Sequence, residues 1–141
     1  MAAFTLTNAF VSVNGVDLSA RVRSVTVSDE RDKKDVTAMG ATANAYQKGL
    51  GDASIKIGFL QDFGAGSVHA TLQPLIGSIT PFAVEVRAVN AARSATNPAM
   101  LLSSALLFTY GPLDSKVGDV SEMEAEFQNA SSTGGMTYPT A

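Results

Sequence analysis

The side chains that could do chemistry are few. His69 is the one histidine; Ser67 stands two residues before it, and Asp62 lies in the preceding turn. A serine nucleophile needs its base within hydrogen-bond reach. Two residues apart on a helix point in different directions, so Ser67 and His69 make no local pair. The expected setting for His69 is a helix surface or an interface. One histidine with scattered carboxylates matches no zinc spacing, and no alternating Asp/Asn loop of the calcium type is present. Cysteine is absent, which removes thiolate chemistry, disulfides and cysteine–metal sites together. Gly49-Leu50-Gly51 and Gly64-Ala65-Gly66 lack the third glycine, and the following Lys-Ser or Lys-Thr, of a phosphate cradle. They read as punctuation between strands. Glu122, Glu124 and Glu126 recur at every second residue. Spaced about 6.5–7 Å apart along one strand, they form a solvated ladder rather than an acid/base set. Catalytic, cofactor-binding and metal-binding residues are all expected to be none. The chain reads as not an enzyme.

The elements that must carry these residues are mostly strands. Phe10-Val11-Ser12-Val13, Asn14-Gly15 and Val16-Asp17-Leu18 predict a hairpin, because Asn-Gly supplies the two positive-φ positions of a type I′ turn. Residues 21–27 alternate with an imperfect period, placing Val22 and Thr26 on one face and Arg23, Val25 and Val27 on the other. The dense charge cluster Asp29, Glu30, Arg31, Asp32, Lys33, Lys34 reads plainly as a solvated turn and, more sharply, as a contact of mixed sign between subunits. Residues 40–45 are small and polar without period, which predicts a long mobile loop. Residues 52–60 are the clearest strand, with Ala53, Ile55, Ile57 and Phe59 on one face. Residues 67–76 form the best helix candidate, capped by Ser67 and stopped by Gly77, with Pro74 expected to kink or end it near Gln73. Strands follow over 81–89, 100–110 and 120–128, the last with Met123, Ala125 and Phe127 opposite the glutamates. Residues 90–99 read as a second loop and 129–141 as an irregular tail. About seven strands, one short helix and two long polar loops specify a mainly β fold: a β-sandwich or partly closed barrel with one short flanking helix.

At 141 residues the chain fits one domain spanning 1–141, long enough for a real core. Only 16% of residues are charged, low for a globular chain, so part of the surface is expected to be hidden against partners. The net charge of −3 argues against a phosphate-neutralising nucleic-acid binder. No run of residues reaches a membrane span, and the first residues lack the basic start and long apolar stretch of a signal peptide, so no membrane partner is expected.

Asp35-Val36-Thr37, a long loop, and then Gly49-Leu50-Gly51-Asp52-Ala53-Ser54-Ile55-Lys56-Ile57 resemble the signature of major tail (tail-tube) proteins of long-tailed, siphovirus-type phages. Val13-Asn14-Gly15-Val16-Asp17-Leu18-Ser19, Ala70-Thr71-Leu72-Gln73-Pro74-Leu75, Val84-Glu85-Val86-Arg87 and Ser94-Ala95-Thr96-Asn97-Pro98 are similar to segments of actinobacterial-phage structural proteins. Together these cover most of the chain from about residue 10 to 128. The resemblance implies a virion protein, made in the host cytoplasm, whose partners are further copies of itself and other virion proteins. Six copies would close a ring around an inner β-barrel, rings would stack, and phage DNA would pass without specific binding. It also implies that a loop over about 38–50 reaches the neighbouring ring. The candidate contacts between subunits are Asp29, Glu30, Arg31, Lys33, Lys34, Met39, Tyr46 and Leu50. Glu122, Glu124 and Glu126 would then line the lumen as an acidic ladder that repels phosphates. The alternative is a capsid decoration protein or head–tail connector component with a related β-fold.

Overall fold

The computed structural model describes residues 4–113 and 115–140. In chain order the elements are β1 (Phe10–Val13), β2 (Val16–Asp17), a 3-10 turn (Ser19–Arg21), β3 (Val22–Asp35), β4 (Tyr46–Leu60), α1 (Val68–Ile76), β5 (Phe82–Arg87), β6 (Ala99–Tyr110), β7 (Glu122–Asn129) and β8 (Met136–Thr137). All strand pairs are antiparallel within one sheet of order β2-β1-β5-β6-β7-β4-β3, and β8 joins β6. The mainly β class with one short helix is therefore the observed one.

The local choices follow from residue type. Asn14 and Gly15 take φ of 51° and 81°, the two left-handed positions that let β1 return tightly as β2. On β4, Ala53, Ile55, Ile57 and Phe59 are buried, and on β7 so are Met123, Ala125 and Phe127. Period-2 alternation has put one face of each strand inside. The same core takes in Val11 and Val13 of β1, Val84 and Val86 of β5, and Val68, Leu72 and Leu75 of α1. The sheet thus curls so that a single face encloses the core from both halves. Phe82 and Phe127 meet across it edge-to-face, with ring centroids 5.9 Å apart. One end of the sheet lies over its middle without pairing: Val25 and Val27 of β3 share a groove with Val86 of β5 and Met100 of β6, and Phe4 and Leu6 lie in the seam. The sheet is not closed.

Four expectations are corrected. Val22 does not share a face with Thr26: it pairs with Phe59, Ser24 pairs with Gly58, and the extra residue Arg23 is a bulge that resets the period. Val22, Val25 and Val27 therefore all pack on the core, and Arg23 turns outward. The charge cluster is strand rather than turn, the outer half of β3 paired rung by rung with β4. Pro74 lies inside α1 and does not end it. Both Pro74 and Ala70, whose carbonyl it leaves unbonded, are exposed, so water can satisfy the orphaned acceptor. Ser67 stands at the N-cap with no side-chain capping bond. The tail after Asn129 is not wholly irregular, since Met136 is buried and pairs with Leu102.

Candidate assembly interface

The longest feature is the β3–β4 hairpin. β7 accompanies β4 only from Ser54 to Leu60, so β4 has no strand on that side between Tyr46 and Ala53 among the described residues. β3 pairs with β4 alone and leaves its other edge open along Val22–Asp35. From Asp29↔Ala53 to Asp35↔Tyr46 the hairpin runs about 20 Å past the last β7 rung, at about 3.3 Å per residue. An open edge of this length is a template for another strand unless charge blunts it.

Asp35-Val36-Thr37 closes the tip. The Asp35 carboxylate accepts the Thr37 backbone N–H at 2.9 Å, a bond that holds its pKa below the ordinary carboxylate value. The Thr37 hydroxyl accepts the Ala45 N–H at 2.7 Å and Val36 N–H donates to Ala45 O at 2.9 Å. The loop proper is therefore 36–45, with Gly40 at φ 85°, and residues 46–50 of the expected loop are strand. Lower down, Arg31 pairs with Gly51 and Lys33 with Lys48, so Gly49 and Leu50 together face Asp32. A Cβ on Gly49 would come within 2.9 Å of the Asp32 Cβ, which explains the glycine. The bulge leaves Leu50 83% exposed.

All eight sequence-derived contact candidates fall on this one hairpin: Asp29, Glu30, Arg31, Lys33 and Lys34 on β3, Met39 at the tip, Tyr46 and Leu50 on β4. Their charges are engaged locally. Lys33 Nζ lies 4.5 Å above the Tyr46 ring, Lys34 is 3.8 Å from Asp32, and Arg31 is 2.5 Å from Asp29. Met39 has no cover at all. Sequence reasoning missed Tyr138, whose hydroxyl donates to Asp29 at 2.7 Å and fastens the tail to the root of the hairpin. That bond and Arg31 lower the Asp29 pKa, and the same bond raises that of Tyr138.

The three glutamates of β7 do share one outward face. Glu122 is 2.9 Å from Arg23 and Glu124 is 3.5 Å from Lys56, while Glu126 accepts from Gln128 at 2.6 Å. The ladder is thus interleaved with two cations that the single-strand reading missed. Ser24, Thr26, Ser28 and Ser54 extend the face, since they align with Gly58, Lys56, Ser54 and Gln128 in register. The result is a polar surface with an excess of one acid.

The catalytic possibilities do not assemble. The His69 ring lies 2.6 Å from the Tyr110 hydroxyl and packs on Phe63 at 4.9 Å, while the Ser67 side chain acts on Asp62 instead. Asp62 also holds Arg21 at 2.8 Å. The backbone N–H of Gly64, then Ser67 and then Arg21 keep its pKa low. Among the described residues no three metal-ligating side chains come together, and no helix is long and apolar enough to cross a membrane.

No protein-family model and no curated protein matches the chain. Solved structures do. A chain of the virion of a native gene transfer agent particle superposes with a TM-score of 0.72 at 10% identity, covering 97% of this chain and 99% of that one. A chain of the sheath/tube terminator of an extracellular contractile injection system matches at 0.70 and 14% identity, covering 99% and 98%. A chain of the tail of an empty gene transfer agent particle, which has C6 symmetry, matches at 0.66 and 12% identity, covering 94% of each. At these identities the likeness establishes the fold. The chain has the tail-tube-like fold of virion and contractile-injection tail proteins.

Proposed function

We propose that this chain is a structural tail-tube subunit, not an enzyme, that self-assembles into stacked rings of six forming a conduit for DNA. One observation carries the reading: a tail-tube-like fold bears a long hairpin whose strand edges are left open. A ring of copies would pair those edges, and a head-to-tail arrangement would repeat without closing on a dimer. The contact residues on the hairpin and the loop at its tip would meet neighbouring copies. A non-contractile, siphovirus-type tail is the particle that the sequence motifs favour, and other virion proteins would bind at the tube ends. The outward face bearing Glu122, Glu124 and Glu126 would line the lumen. Its weak residual acidity would discourage phosphate adhesion. Replacing all three glutamates with glutamine would then increase DNA retention on the assembled tube.

Negative-stain microscopy of the purified protein tests the assembly directly. Tubes or stacked rings are expected; monodisperse monomers at high concentration would refute it. A second reading has one observation behind it, the likeness to the structure of a sheath/tube terminator. A terminating or connecting component would give closed rings that never elongate.

A further inference from the structure

The two ends of the molecule carry different, unmatched surfaces. At the root of the hairpin, the sheet has a slot. β7 leaves β4 after Gln128↔Ser54, the chain swings out through small residues, and β8 returns on β6. A cleft of about 520 Å³ opens between Leu50 and Asp52 on one wall and Gly134 and Met136 on the other. At the opposite end, the connection between β6 and β7 projects Leu113, Val117 and Val120 into solvent, Val117 with no cover at all. That end is fixed by Gln61, whose backbone N–H donates to Ser121 O at 3.0 Å and whose side chain donates to Pro112 O at 2.5 Å.

These surfaces cannot meet within one chain. Leu50 and Gln61 lie along the same strand direction, roughly 35 Å apart at about 3.3 Å per residue. They are complementary in kind: a loop with exposed valines beside Lys116 and Asp119, and a cleft with an exposed leucine and with Asp52 and Arg31 on its wall. Neither Lys116 nor Asp52 makes an ion pair within the chain among the described residues. We infer that residues 115–121 of one copy seat in the hairpin-root cleft of the next, with Val117 against Leu50 and Lys116 facing Asp52. This contact rests on the tail-tube reading and names the surface by which copies join head to tail. Because donor and acceptor patches differ, each bound copy exposes a fresh donor at one end and a fresh acceptor at the other, so the contact propagates.

The absence of cysteine allows a clean test. The double variant Leu50→Cys/Val117→Cys is oxidised after assembly and run without reductant. A disulfide needs its Cα atoms within about 7 Å, so the two positions cannot bridge inside one copy. A ladder of multimers that collapses on reduction is expected, with dimers at most from either single variant. Tubes that form but give no ladder overturn this contact and leave the tube reading standing. A failure of the unsubstituted protein to form rings or tubes sinks the reading itself. As a second measurement, Lys116→Asp is expected to lower assembly at least tenfold and Lys116→Asp/Asp52→Lys to restore it. No rescue by the charge swap also overturns the pairing. All four positions are exposed, so misfolding does not confound either result.

Discussion

Asn97 is the sharpest place to test the packing argument. It lies in the connection between β5 and β6 and is only 7% exposed, the one buried polar residue among those described. Its side-chain oxygen accepts the Val89 N–H at 3.2 Å, and its amide nitrogen donates to Val89 O at 3.1 Å and to Ala91 O and Ala92 O at 3.3 Å each. One side chain thus ties the connection together beside its few backbone bonds. In Asn97→Ala the Ala91 carbonyl keeps a donor, Nη1 of Arg87 at 2.5 Å. The Val89 carbonyl also keeps one, the Ala91 N–H at 2.8 Å, so the Val89 N–H and the Ala92 carbonyl are the groups that lose theirs. At about 0.5–1.5 kcal/mol net per bond, the expected loss is about 1–3 kcal/mol. For a chain of this size that lowers Tm by about 4–10 °C. Asn97→Asp keeps the acceptor but turns a carboxylate toward carbonyl oxygens, so above the carboxylate pKa it should be at least as damaging. Urea titration and thermal melts followed by circular dichroism measure both, and amide exchange should show Val89 exposed. An alanine variant within 0.5 kcal/mol of the parent, or an aspartate variant as stable as the parent, would refute the reasoning.

Two further outcomes follow from the same structure. Phe127→Ala removes a fully buried ring and its edge contact with Phe82, and should cost about 3–5 kcal/mol in urea titration; a loss below about 1.5 kcal/mol would mean that the two halves of the sheet do not share this core. Glu85 gives a pH dependence: burial raises its pKa, but hydrogen bonds and charge from Arg93 and Arg87 outweigh that and leave it below its ordinary value of 4.5. A depressed folded-state pKa contributes stability that is present above the ordinary value and lost as pH falls through the folded one. Unfolding measured from pH 6 down to pH 2 should therefore steepen below about 4.5, and Glu85→Gln should flatten that limb; an unchanged slope would remove Glu85 as its source.

Much of the fold was legible because it depends on local periodicity. Strict alternation over residues 53–59 and 122–127 dictated which faces are buried, and Asn14-Gly15 dictated a turn that only positive φ can make. Asp35-Val36-Thr37 was recognisable as a motif, and its chemistry is also local, since Asp35 and Thr37 bond each other and the far side of the loop. The absence of cysteine and of any histidine pair was equally a property of the sequence.

What the sequence could not decide were relations between distant residues. The charge run 29–34 has no strand-like pattern of its own; it is extended because residues 46–53 pair with it. The bulge at Arg23 shifts a face by one residue, an event that alternation cannot foresee when both neighbours are valines and serines. Pro74 survives in a helix because that turn faces water, and exposure is set by what α1 packs against. Arg23 and Lys56 reach the glutamate ladder from other strands, so its near-balance of charge exists only in three dimensions. The Tyr138–Asp29 clasp joins residues 109 positions apart, and the cleft beside it is formed where two strands of one sheet part. Local geometry is written in neighbouring residues, while register, exposure and charge pairing belong to the packed whole.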